Sequence, residues 1–335
     1  MMRYFAAAMA AMALTGASPS SPSPEESLQS APPGEPIVVG VGFHVIDFGR
    51  ITAREESFDL TAFLELRWSD PRLAAPGKAP AIRRVHPDRI WTPRICYDNA
   101  VEPPKNHGDI SCEVDEHGTV TYKSIFSGKF TTPMDLRRFP FDSQTVMVRI
   151  ALFDHESRVR FEAIPSLMRM HDDAAVSDWS IGEPTYRVES HRYSSGEAGY
   201  SALVYEIGVE RRSAFYLWRV MLPLALLAAI PWVIFWFDPA NLQPQISTCM
   251  ATFISLVTFN FGMDFGQPKS PYLTLLDKHA LIGFLFVALA VVVVARVHVA
   301  IMTGRAEHAS RIQRVARWAF PLSYAAIFLA NLWIS

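Results

Sequence analysis

Polar side chains recur at helical spacing inside an apolar run in the last third of the chain. With successive residues turned by about 100°, Gln243, Ser247, Ala251, Ile254, Thr258, Phe261 and Phe265 fall on one face. Thr248, Thr252 and Ser255 flank that stripe. Within a hydrocarbon layer such a stripe has two readings. It packs on a partner helix, with Ser and Thr as interhelical glue, or it faces a water-filled cavity. In the second case the chemistry is that of an ion path. One helix cannot enclose a pore, but a ring of copies can. Ile254 and Phe261, about two helical turns apart, would then form two apolar rings able to close by dewetting. Asp238 precedes the stripe and Asp264 lies near its far end. Rings of acid favour cations, although Gln243 at the mouth is neutral and Asp264 projects off the stripe.

Enzyme chemistry finds less support. Ten histidines invite a search for metal ligands, and His155-Glu156 and His171-Asp172-Asp173 are the densest groups. Neither has the His-Glu-x-x-His spacing of zinc proteases, and the chain holds neither Gly-x-Ser-x-Gly nor a phosphate loop. These residues read as solvated loop residues, and no metal or other cofactor is expected. A formal net charge of −2 gives no basic patch for a nucleic-acid partner. A transporter would usually show internal repeats and broken helices, and no repeat is present.

The elements that position the stripe follow from the distribution of apolar residues. Residues 1–17 carry Arg3, an apolar run from Tyr4 to Leu14 and the small residues Thr15-Gly16-Ala17, the order of a secretory signal peptide. Residues 18–36 are dense in Ser, Pro and Glu and read as a disordered linker. From Ile37 the signals are those of strands. Phe58, Leu60, Ala62, Leu64, Leu66 and Trp68 alternate with more polar residues, as do Val146, Val148, Ile150 and Leu152, and Leu203, Tyr205, Ile207 and Val209. This period of two marks strands with one buried face. Turn residues at Asp70-Pro71, Pro103-Pro104, His117-Gly118 and Ser194-Ser195-Gly196 punctuate them, so a β-sandwich is expected. Cys96 and Cys112 lie in this exported part, where a disulfide is permitted, but spacing does not decide whether they meet. Cys249 reads as a small packing residue.

Four apolar stretches follow: Phe215 to Phe237, Pro244 to Phe265, His279 to Met302 and Trp318 to Ser335. Each is near the roughly 20 residues that cross a bilayer. Pro244 is expected to begin the second span, and Pro223 and Pro231 to kink the first. The link between the third and fourth spans holds Arg305, Arg311, Arg314 and Arg317 against Glu307 as its only acid, which places it in the cytoplasm. The sandwich and the C-terminus then lie outside, in agreement with the signal peptide. The expected architecture is an α+β membrane protein: an extracellular β-sandwich over 37–212, then a four-helix transmembrane bundle over 213–335 in contact with the lipid bilayer.

The segment Pro133-Met134-Asp135-Leu136-Arg137-Arg138-Phe139-Pro140-Phe141-Asp142-Ser143-Gln144 resembles the signature loop of the pentameric ligand-gated ion channels, the Cys-loop receptors and their bacterial relatives. Thr132 and Val146 stand where animal members carry the bracketing cysteines. Trp68-Ser69-Asp70-Pro71-Arg72-Leu73 resembles the family's Trp-x-Asp-x-Arg-Leu, and Ile90-Trp91-Thr92-Pro93 through Asn99 its Trp-x-Pro segment. Arg211 matches the arginine before the first span, and Pro268-Lys269-Ser270-Pro271-Tyr272 the link between spans two and three. The resemblance implies a homopentamer of a bacterial cell membrane, multi-pass, with five second helices lining a pore for small ions. It implies opening by an extracellular small-molecule agonist or protons. It places a ligand cage at Phe63, Tyr97, Tyr193 and Tyr200, a coupling pair at Asp142 and Arg211 beside Pro140, and a gate at Ile254.

Overall fold

The computed structural model describes residues 33–77, 82–171, 176–192, 199–264 and 271–334. The signal-peptide segment, most of the linker, Tyr193 and its turn, Phe265 and Pro268 to Ser270 therefore lie outside the described residues.

Among the described residues, eleven strands form the N-terminal half: β1 (Ile37–Thr52), β2 (Ser57–Ser69), β3 (Ile82–Val85), β4 (Ile95–Tyr97), β5 (Lys105–Asp115), β6 (Thr119–Thr131), β7 (Ser143–His155), β8 (Val159–Ala163), β9 (Arg169–Met170), β10 (Trp179–His191) and β11 (Tyr200–Arg211). They make two sheets. One is seven-stranded, ordered β3-β5-β6-β2-β1-β8 with β9 also on β1, and the other four-stranded, ordered β10-β11-β7-β4. The alternation in the sequence is the inner face of this sandwich. Phe58, Leu60, Ala62, Leu64, Leu66 and Trp68 of β2 are all buried, as are Val146, Val148, Ile150 and Leu152 of β7. Phe43 packs on Phe126 and Tyr205, with ring centroids 6.2 and 4.8 Å apart, to join the sheets.

The Trp68 to Leu73 motif has a structural role. Asp70, fully buried, caps a 3-10 turn at Pro71–Leu73. It accepts from the Arg72 backbone N–H at 3.1 Å, from Nε at 2.9 Å and from Nη2 at 2.8 Å. Gly118, at φ +83°, lies so close that a Cβ there would meet the Asp70 carbonyl oxygen at 2.4 Å, so only glycine fits.

Cys96 lies on the four-stranded sheet and Cys112 on the seven-stranded one, and no disulfide joins the two. Burial pushes the Cys112 thiol up to about 11, which keeps it protonated and unreactive. Cys249 is buried among apolar neighbours, as its surroundings in the sequence lead one to expect.

Helices form at all four apolar stretches: α1 (Ala214–Trp236), α2 (Leu242–Asp264), α3 (Leu275–Met302) and α4 (Ala306–Ile334). Two of them, α1 and α3, are long and apolar enough by composition to cross a membrane. The hydroxyls and amides of α2 and the arginines of α4 lower their hydropathy. Around its prolines α1 departs from α geometry, with a π turn at Leu217–Met221 before Pro223 and a 3-10 segment at Ile230–Trp236. Two boundaries differ from expectation. α2 starts at Leu242, so Pro244 sits within the first turn, where N–H groups have no intrahelical partner. α4 starts at Ala306, so Arg311, Arg314 and Arg317 belong to the helix and the link shrinks to 303–305. That link is a helix stop: Arg305 N–H donates to Ala300 O at 2.9 Å and Gly304 N–H to Ile301 O at 3.0 Å, with Gly304 at φ +73°. This is a glycine C-cap that allows an immediate turn. The start of α4 is latched to the end of α1: Arg317 Nε donates to Phe235 O and Gln313 Nε2 to Phe237 O, at 2.8 and 2.7 Å.

Candidate functional site: junction, pore stripe and ligand cage

The junction between sandwich and helices is built from the ends of two paired strands. β11 runs antiparallel to β7, ending at Glu210 opposite Ser143. One residue further on, Arg211 N–H donates to Asp142 O at 3.1 Å. Its side chain reaches the Asp142 carboxylate through Nε at 2.7 Å and Nη2 at 3.1 Å. The side chains are 6% and 1% exposed. Gln144 Nε2 donates to Asp142 Oδ2 at 2.9 Å and to Asp135 O at 2.7 Å. The arginine also lies 4.1 Å from the Trp179 ring, 4.8 Å from Phe139 and 6.0 Å from Tyr216, the last on α1. A buried pair is stable only when its remaining hydrogen-bonding positions are filled. Here the fork geometry, Gln144 and the ring faces meet that demand.

The same loop docks on α3. Leu136 N–H donates to the Tyr272 hydroxyl at 2.8 Å, and Leu275 N–H, the first of α3, donates to Arg137 O at 2.9 Å. The loop carbonyl thus satisfies one of the donors that a helix start leaves unpaired. Arg137 lies over the Tyr272 ring at 5.2 Å. Pro140, two residues before Asp142, is buried and follows a cis peptide bond.

On α2 the buried residues are Gln245, Cys249, Thr252 and Leu256, and Phe259 packs against the core. This is the face toward the other helices of the same chain. Gln243, Ser247, Ala251, Ile254, Thr258 and Phe261 are all exposed, Ile254 at 59% and Phe261 at 69%. At about 100° per residue the centre of the stripe lies roughly opposite the packed face. Thr248, Thr252 and Ser255 donate to the carbonyls four residues earlier, at 2.8 to 2.9 Å. Their hydroxyls are thereby satisfied within the helix, which leaves no need for a partner helix within the chain.

The described residues expected to form a ligand cage lie on different parts of the chain. Phe63, half-buried, belongs to β2 of the seven-stranded sheet, opposite His44 and Ile125. Tyr200 opens β11 of the other sheet and stacks on His155 at 5.0 Å. Tyr97 turns inward, packing on Phe126 and Phe130 at 4.7 and 6.2 Å, and burial pushes its phenol above the usual range.

A polar cluster near Tyr200 had no signature in the sequence. Arg149 of β7 lies 3.4 Å from Asp98 and 3.7 Å from Glu189, and His191 lies 3.6 Å from Asp98. All four side chains are between 20% and 30% exposed.

The description of a neurotransmitter-gated ion-channel ligand binding domain matches residues 26–213, more than half of the chain. The chain belongs to the pentameric ligand-gated ion channel family. It is similar to a proton-gated ion channel of Gloeobacter violaceus, 29% identical over 313 residues that cover 92% of this chain and 86% of the relative. It is also similar to the human gamma-aminobutyric acid receptor subunit rho-2, 24% identical over 284 residues, 81% of this chain and 60% of that subunit. The bovine rho-2 subunit matches at 24% over 277 residues, 79% of this chain and 59% of the subunit. The chain therefore spans about 60% of the length of these animal receptors. The ligand-gated channel family is not an enzyme family, in line with the lack of catalytic motifs in the sequence. In this channel chain, the sequence pointed to Asp142, Arg211 and Pro140. The clamp by Gln144 and the bridge through Tyr272 emerge only in three dimensions.

Proposed function

We propose that five copies of this chain assemble into a homopentameric channel in a bacterial cell membrane. Residues 1–17 direct export and 18–36 form a linker. Residues 37–212 sense an extracellular signal and 213–335 form the pore. The sandwich and the C-terminus lie outside the cell and the 303–305 turn inside, as the arginines around it favour. The observation that carries this reading is the α2 stripe, exposed and opposite the face that packs on its own bundle. In a ring of five it becomes the lining of an ion path, with gates at Ile254 and Phe261. Gln243, Ser247, Ala251 and Thr258 complete the wall. The absence of Lys and Arg from the stripe, with Asp238 before the inner mouth, supports passage of small cations.

The signal is an extracellular ligand or protons, and protons are favoured because the Gloeobacter violaceus relative is named for that stimulus. A small organic cation held between subunits by Phe63, Tyr193 and Tyr200 is the second reading, through ring contacts of about 0.5–2 kcal/mol each. Tyr97, packed inward, is the weakest member of that cage. Currents from purified protein in a planar bilayer test the proposal. Unitary openings on acidifying the sandwich side alone support proton gating. A channel that Ile254→Ser opens but acid does not would overturn the proton reading, and no current from either would overturn the channel reading.

A further inference from the structure

Two histidines distant in the sequence meet on the outer face of the seven-stranded sheet. Along β1, Phe43 and Val45 point into the core and are fully buried. His44 between them therefore points outward and is half-buried. β9 pairs in parallel with β1, with Arg169 opposite His44 and Met170 opposite Val45. His171 N–H then donates to Val45 O at 2.8 Å. Two residues beyond Arg169 in extended chain, His171 returns to the face that carries His44. The two ring centroids are 6.5 Å apart at an interplanar angle of 75°. His171, which reads as a solvated loop residue in the sequence, is tethered to the sheet by that backbone bond, while its side chain is exposed.

Two imidazoles at this spacing are a small side-chain rotation away from sharing a metal ion. With a metal–nitrogen length of about 2.0 Å and a tetrahedral angle, the centroids of two ligating rings stand about 5 Å apart. We propose that His44 and His171 bind a divalent transition-metal ion, zinc or copper, through one nitrogen each, with water completing the coordination. Imidazole nitrogen suits these ions, whereas magnesium and calcium prefer oxygen. Among the described residues no third His, Cys, Asp or Glu joins the pair, which leaves positions for water. Arg169 adds a positive charge beside His44, which opposes a dication. The site rests on the sandwich alone and does not depend on channel activity.

Isothermal calorimetry of full-length, untagged protein, stripped of metal and titrated with zinc, tests this. His44→Gln and His171→Gln are each expected to weaken zinc binding at least about tenfold, since even groups that only orient a metal ligand are worth about 10–100-fold. His107→Gln removes an exposed histidine of β5, three strands away from β1, and is expected to bind as the parent does. Arg169→Gln is expected to tighten binding about fivefold by removing the opposing charge, a gain that a damaged fold would not give. Excess magnesium is expected not to compete. Zinc binding by His44→Gln or His171→Gln equal to the parent's overturns the site. So does an equal loss in His107→Gln, which would mean diffuse binding by exposed histidines. Unchanged or weaker binding in Arg169→Gln would place the ion elsewhere, and displacement by magnesium would mean an oxygen site; either also overturns it.

Discussion

Arg211 and Asp142 form a two-point ion pair, 2.7 and 3.1 Å long, at the seam between sandwich and helices. Arg211 ends β11 just before α1, and its cation rests among Trp179 of the sandwich, Phe139 of the signature loop and Tyr216 of α1. One side chain therefore touches three parts that must move together if a signal in the sandwich opens a pore.

Removing one partner strands a buried charge, at about 3–5 kcal/mol. Arg211→Ala is expected to abolish current or pentamer assembly. Arg211→Lys keeps the charge but loses the fork and the ring stacking, and its loss should be partial. Size-exclusion profiles and patch recordings on both variants check this. Parent-like current from Arg211→Ala would remove the pair from the account of coupling.

Tyr272 gives a milder test of the same interface. Its hydroxyl accepts from Leu136 N–H at 2.8 Å, a bond with a net contribution of about 0.5–1.5 kcal/mol. Tyr272→Phe should assemble normally and shift the activation midpoint by up to about tenfold in stimulus concentration. An unchanged midpoint would mean that the loop and α3 move without using this bond.

His44 supplies a pH dependence of stability. Burial, with His171 at a ring separation of 6.5 Å and Arg169 nearby, holds its imidazole below the usual value. The neutral form is therefore favoured in the fold, and the unfolded chain binds the proton more tightly. Stability from this site is complete above the unfolded pKa of about 6.5 and falls as pH drops from there through the folded pKa. The thermal midpoint should decline over that window, and less steeply in His44→Gln. Equal slopes in the two proteins would contradict this.

Much of the fold was readable because its physics is local. A sandwich strand with one dry face must alternate, and β2 and β7 do. A bilayer sets a length, which α1 and α3 meet. The stripe on α2 was readable because Ser and Thr stand out against aliphatic neighbours. What stayed hidden depends on distant or featureless sequence. Leu136 and Tyr272 are 136 positions apart, and no spacing announces their bond. The strand β4 spans only Ile95–Tyr97, too short for alternation to show that Tyr97 points inward. The first turns of α4, from Ala306 to Arg317, hold only Ile312 and Val315 as large apolar residues among Glu307, His308, Ser310, Gln313 and three arginines, so no continuous apolar run marks them and they read as a link.

Selectivity is open to a direct check. With acid at Asp238 and no base on the stripe, the reversal potential in a salt gradient should follow the cation. Asp238→Asn should reduce that preference without altering gating. A reversal potential that tracks chloride would contradict the account of the pore.

The central claim is that the α2 stripe lines the pore and that Ile254 closes it. Closing an apolar ring removes Ile254 from water, at about 1.5–3 kcal/mol per fully buried side chain, repeated in each subunit. A swing from 1:99 to 99:1 needs only about 5.5 kcal/mol, so even part of that sum decides the state. Phe259 lies on the packed face of the same helix and serves as the control. The decisive measurement is resting leak and activation midpoint for Ile254→Ser beside Phe259→Ser. The account predicts leak without stimulus, or a lowered midpoint, for Ile254→Ser, and reduced expression or current for Phe259→Ser. Reduced current without leak in both variants would show that Ile254 merely packs and would contradict the pore.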